Sequence, residues 1–88
     1  GVNIAGRIDR LVVTPERVLV VDYKSNRPAP DQIERADPAY ILQMAIYVAV
    51  LRQLYKDRPV EAALVWTDGP KLMPVPAGLM NEALANAR

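Results

Sequence analysis

Asp22 and Lys24 close an apolar run, in Val20-Val21-Asp22-Tyr23-Lys24-Ser25-Asn26, and a second acid, Asp9, lies upstream in Gly6-Arg7-Ile8-Asp9-Arg10-Leu11. Residues two apart on a strand share a face, so Asp22 and Lys24 point the same way. Charges at the inner end of a strand cost solvation free energy unless something compensates them. Two carboxylates and one ammonium drawn together would suit a divalent cation with a lysine beside it. Mg²⁺ takes one or two carboxylates and keeps waters or phosphate oxygens. Such an ion can activate a water and neutralise charge on a phosphate. The lysine adds a compact positive charge to orient or stabilise a nucleophile. This chemistry is that of phosphodiester hydrolysis.

A hairpin must bring the acids together. Thr14-Pro15-Glu16-Arg17 reads as a turn, with proline preset for its first corner. With Pro15-Glu16 at the tip, Thr14 faces Arg17 and the register carries Asp9 opposite Asp22. Opposed side chains then have Cβ atoms about 4.5–5.5 Å apart, with Lys24 on the diagonal. A bulge or a longer tip would slip the register by one. Opposed like charges destabilise a sheet and push one carboxyl toward protonation, and a divalent cation reverses both penalties. The competing reading is structural: Asp9 with Arg10, and Asp22 with Lys24, as surface ion pairs.

Composition narrows the chemistry. The 88 residues include no Cys and no His. That excludes thiolate zinc and iron–sulfur sites and the usual general base within this stretch. A metal here must be held by oxygen, which favours Mg, Mn or Ca. The net charge of +1, from 11 basic and 10 acidic residues, gives no general pull on nucleic acid or acidic membranes. No stretch reaches the roughly 18 apolar residues of a membrane span, so no membrane partner is expected. The absence of cysteine fits a cytoplasmic protein. We expect a single domain over 1–88, cut from a longer protein.

The elements that position these residues follow from pattern. Val2–Val13 reads as a strand with Gly6 as a possible bulge. Val18–Lys24 is a second strand, and its unbroken apolar start suggests cover on both faces. Ser25–Asp37 is a polar loop whose prolines argue against helix or strand. Asp37-Pro38 signals a helix start and the helix runs to about Lys56, with Pro59 as its stop. Val60–Thr67 is a third strand, Asp68-Gly69-Pro70 a turn, and Lys71–Val75 a short fourth strand. Gly78–Ala87 reads as a last helix.

From Ile41 to Leu51 every residue except Gln43 is apolar or aromatic. Such a helix is buried on more than one side: one against the sheet, the other against something outside this sequence, such as another domain. Gln43 and Tyr47 share a face. Either they reach the hairpin end, or Tyr47 is a core tyrosine and Gln43 sits at a helix–helix seam. A buried glutamine needs partners in both cases.

The strings Gly6-x-Ile8-Asp9-Arg10-Leu11, Val21-Asp22-Tyr23-Lys24-Ser25 and Gln43-x-x-x-Tyr47 together resemble the RecB-type nuclease family of the PD-(D/E)XK superfamily. Their order and spacing look most like the C-terminal nuclease domain of AddA-type helicase–nucleases, over roughly residues 2 to 67. The resemblance implies an α/β fold of α+β mixed-sheet type. Its core would be restriction-endonuclease-like: a central sheet with an N-terminal hairpin, flanked by helices. An upstream helix, which often completes the metal site with Glu or His, is expected before Gly1. Asp9 and Asp22 resemble the metal-binding acids, Asp22 standing where many members carry Glu. The backbone carbonyl of Tyr23 would be a further ligand, and Lys24 resembles the catalytic lysine. Gln43 and Tyr47 match a motif associated with positioning DNA, and Arg10 and Ser25 occupy motif positions.

The implied cofactor is Mg²⁺, with Mn²⁺ as a substitute. The implied partners are DNA, helicase domains of the same chain and a second helicase–nuclease subunit. The implied setting is the bacterial cytoplasm at the nucleoid, in double-strand-break repair and recombination. The alternatives are an inactive nuclease-like fold kept as a DNA-binding scaffold, and an unrelated small α/β interaction domain.

Overall fold

A computed structural model describes residues 8–87. Four strands form one sheet in the order β1-β2-β3-β4: β1 (Arg10–Val13), β2 (Val18–Lys24), β3 (Val60–Trp66) and β4 (Lys71–Val75). β1 and β4 run antiparallel to their neighbours, and β2 and β3 run parallel. The parallel pair needs a crossover, and α1 (Pro38–Leu54) supplies it, with α2 (Ala77–Asn86) closing the described chain. This mixed α+β architecture, a central mixed sheet with helices against it, is the one compatible with a restriction-endonuclease-like core.

The local signals act as their chemistry requires. At the hairpin tip the Thr14 N–H donates to the Arg17 carbonyl at 2.9 Å, and the Arg17 N–H donates to the Thr14 hydroxyl at 3.1 Å. The hydroxyl replaces the Thr14 carbonyl, which instead accepts from Arg58 Nη1 at 2.8 Å. Arg10 then faces Val21 and Val13 faces Val18, the register of a two-residue tip. The Asp37 carboxylate accepts from the Ala39 N–H at 2.9 Å and caps α1, with Pro38 in its first turn. Gly69 turns β3 into β4 with φ of 66°, a conformation that L side chains rarely adopt. Pro74 lies in β4, an edge strand, where its missing N–H faces away from the ladder.

Val18, Val20, Ala62, Leu64, Trp66, Met73 and Val75 turn one face of the sheet toward Met44, Ala45, Tyr47, Val48 and Leu51 of α1. Trp66, Met44, Leu64, Val18 and Val20 are the largest fully buried side chains. Burying each side chain of this size contributes about 1.5–3 kcal/mol relative to exposure. Met80 joins the same core from α2, so α2 takes part of the second side of α1 that the sequence assigned to something outside it. Val50 and Leu54 of α1 remain exposed.

The differences from expectation have local causes. The first strand begins at Arg10, because the side chain of Asp9 takes the bond that would continue the ladder; the expected portion from Val2 to Arg7, with Gly6, lies outside the described residues. β2 is not covered equally on both faces: Val21 is buried, Leu19 is half-buried and Tyr23 is exposed. The loop holds one 3₁₀ turn, Ile33–Arg35, sited between the prolines and the Asp37 cap. α1 ends at Leu54, where Tyr55 leaves helical geometry while its N–H still bonds to Leu51.

Candidate active site

β2 carries Asp22 and Lys24 to one end of the sheet on the face that α1 covers. Asp22 is 5% exposed, whereas Tyr23 points the other way and is 46% exposed. Lys24 Nζ lies 2.5 Å from Asp22 Oδ2. Oδ2 is shielded from solvent and held by the Lys24 ammonium.

The hairpin register, carried one step past Arg10 and Val21, sets Asp9 across from Asp22. Asp9 Oδ2 accepts the backbone N–H of Tyr23 at 3.0 Å. In a strand the N–H and C=O of one residue face the same neighbour, so the Tyr23 carbonyl is directed to the Asp9 side. Lys24 obeys the alternation, its carbonyl accepting from the Thr67 N–H beyond β3 at 2.9 Å. Burial, foremost, pushes the Asp22 carboxyl above its ordinary range, and a side-chain hydrogen bond with Asp9 adds to the rise. Lys24 opposes both without cancelling them.

From α1, Gln43 faces this end of β2 rather than a helix seam. Lys24 Nζ donates to Gln43 Oε1 at 3.3 Å, and Gln43 Nε2 donates to the Tyr47 hydroxyl at 3.3 Å. Tyr47 is buried. A line of polar contacts thus runs Asp22, Lys24, Gln43, Tyr47. Arg10 stands one residue after Asp9, so its side chain leaves from the opposite face of the sheet, and it is exposed. Ser25 is exposed just beyond β2. Neither joins the cluster.

The donor set suits a hard cation. Asp22, Asp9 and the Tyr23 carbonyl lie at the same end of β2 as oxygen donors, the kind a hard cation takes. Among the described residues no group of three or more acids comes together, and Mg²⁺ needs only one or two carboxylates.

Two residues at this end were not singled out by sequence. The Lys24 ammonium lies 4.0 Å from the ring centroid of Tyr40, whose hydroxyl donates to Asn26 Oδ1 at 3.1 Å. The signal was present for Tyr40: positions 40, 43 and 47 form one helical stripe.

A family model described as the PD-(D/E)XK nuclease superfamily matches residues 1–86. No match emerged among curated proteins or among solved structures.

Proposed function

Because the chain belongs to the PD-(D/E)XK nuclease superfamily, we propose that it is a Mg²⁺-dependent DNA nuclease module. Mn²⁺ would substitute for Mg²⁺. The module would hydrolyse phosphodiester bonds, as an exonuclease, within a longer AddA-type helicase–nuclease that works in double-strand-break repair and recombination. The observation that carries the reading is the buried Asp22 carboxylate, held against Lys24 and set across from Asp9. A structural ion pair alone would not account for the second acid beside Asp22.

In this reading Asp9, Asp22 and the Tyr23 carbonyl hold the ion. When bound, it neutralises phosphate charge and lowers the pKa of a water. As a ligand Asp22 would stay ionised and would release Lys24. The Lys24 ammonium would then be free to bind a phosphate oxygen. Gln43 Oε1 would remain as an acceptor for it, with the Gln43 Nε2 donating to the Tyr47 hydroxyl. Ser25, exposed just beyond β2, would meet the DNA backbone at this end, and Arg10 would meet it from the opposite face of the sheet. The near-neutral charge leaves most phosphate contacts to the attached helicase domains and a second subunit, in the bacterial cytoplasm at the nucleoid.

The test is Mg²⁺ titration of DNA cleavage by the full-length protein, beside Asp22→Ala and Lys24→Ala. Both variants should lose cleavage and keep ATP-driven unwinding. Wild-type cleavage by Asp22→Ala sinks the proposal. DNA binding without cleavage or Mg²⁺ binding by the wild type would favour the scaffold alternative.

A further inference from the structure

We infer that Tyr40 is a positioning residue for Lys24, its ring forming one wall of the seat in which the ammonium is held. The inference rests on the nuclease reading for its consequence, though not for its geometry.

A lysine side chain has a flexible four-carbon stem with many rotamers to choose from. Asp22 and Gln43 give its head two oxygen contacts. Tyr40 supplies a further contact. Its ring centroid is 4.0 Å from Nζ, well inside the range in which an aromatic face attracts a cation. The Lys24 side chain is only 16% exposed, so solvent competes weakly for the ammonium.

The ring is itself held. Trp66 is the register partner of Lys24 on the neighbouring strand, and its ring lies 6.2 Å from Tyr40 at a 48° tilt. Trp66 is buried and fixed by its indole N–H donating to Met73 Sδ at 3.2 Å. From the other direction Asn26, two residues past Lys24, receives the Tyr40 hydroxyl. Tyr40 therefore stands in the first turn of α1 between a rigid core and the chain that leaves β2. The arrangement matters most once a cation takes the Asp22 carboxylate. Lys24 then loses its ionic partner, and the Tyr40 face and Gln43 remain to keep it at the site.

The ring face, not the hydroxyl, carries the effect. In the full-length protein Tyr40→Leu should lower kcat for DNA cleavage about tenfold, the size of a partly desolvated cation–π contact, with KM within about twofold. Tyr40→Phe should restore kcat. A second readout is independent of activity: with ¹³C-labelled lysine, the Lys24 Cε protons should be shifted by the aromatic ring in wild type and Tyr40→Phe, and unshifted in Tyr40→Leu. An unshifted Lys24 in wild type, or unchanged kcat in Tyr40→Leu, overturns the inference. A wild type that shows the ring shift but cleaves no DNA overturns the nuclease reading and leaves the placement standing.

Discussion

Gln43 holds Lys24 across the boundary between helix and sheet, its Oε1 3.3 Å from the ammonium. Its Nε2 donates to the Tyr47 hydroxyl one turn further along α1, and the ammonium, which can only donate, sets Oε1 toward itself. The glutamine converts the position of a buried helix into the position of a charge.

Gln43→Leu keeps the bulk and removes both bonds. A hydrogen bond to a charged group contributes about 1.5–3 kcal/mol, so cleavage should fall roughly 10- to 100-fold. Gln43→Glu keeps the acceptor toward Lys24 but loses the N–H donated to Tyr47, and should fall less. Steady-state cleavage assays of the full-length protein check the order. Equal activity in Gln43→Leu and wild type would show that Lys24 needs no tether.

Asp9 has two separable jobs. Its carboxylate faces Asp22, and its Oδ2 accepts the Tyr23 N–H at 3.0 Å. Asp9→Asn keeps a carbonyl oxygen for that bond and removes the charge. It should melt close to wild type, lose Mg²⁺ binding and lose cleavage. Asp9→Ala should also be less stable, by about 1 kcal/mol of unfolding free energy, because the strand bond goes too. Urea denaturation and Mg²⁺ titration separate the two effects. Equal stability of the Ala and Asn variants would mean that the Tyr23 bond contributes nothing.

Much of this arrangement was legible in the chain, because short-range chemistry decided it. The Thr14 hydroxyl and Pro15 fixed a two-residue tip, and the period of two then set Asp9 across from Asp22. Asp37 and Pro38 started α1 where a cap and a first-turn proline must. The beginning of β1 was not legible, since a side chain can replace a backbone acceptor and only three-dimensional contact reveals which does. The place of Tyr40 had a visible helical spacing, but its use depends on how α1 crosses β2 and β3. That crossing is set by the whole core.

Trp66 joins stability to the site. It is among the largest fully buried side chains, and it backs Tyr40. Trp66→Ala should cost about 3–5 kcal/mol, a large share of the 5–15 kcal/mol typical of folded domains. Trp66→Phe should cost less and keep cleavage, since the ring behind Tyr40 is retained. Thermal melting measures the first, and cleavage by Trp66→Phe the second. Loss of cleavage in a well-folded Trp66→Phe would show that Phe does not replace Trp66 behind Tyr40.

The state of Asp22 makes stability depend on pH in a direction opposite to that of an ordinary ion-paired carboxylate. Burial, then the Asp9 contact, raise its folded-state value, while Lys24 lowers it by less. The folded protein therefore binds the proton more tightly than the unfolded chain does. That contribution is complete at low pH and is lost as pH rises from the ordinary carboxylate range through the raised folded value. Without a divalent ion, the protein should lose stability across that rise. Asp22→Asn has no proton to release and should lack this loss, so near neutral pH it should melt above the metal-free wild type. A bound cation substitutes for the proton, and anything that binds only the folded state stabilises it. Millimolar Mg²⁺ should therefore raise the wild-type melting temperature near neutral pH and leave Asp22→Asn unmoved. Melting curves across pH with chelator and with Mg²⁺ measure all four cases. A metal-free wild type whose stability climbs through the same window would mean that Lys24 outweighs burial and keeps Asp22 ionised.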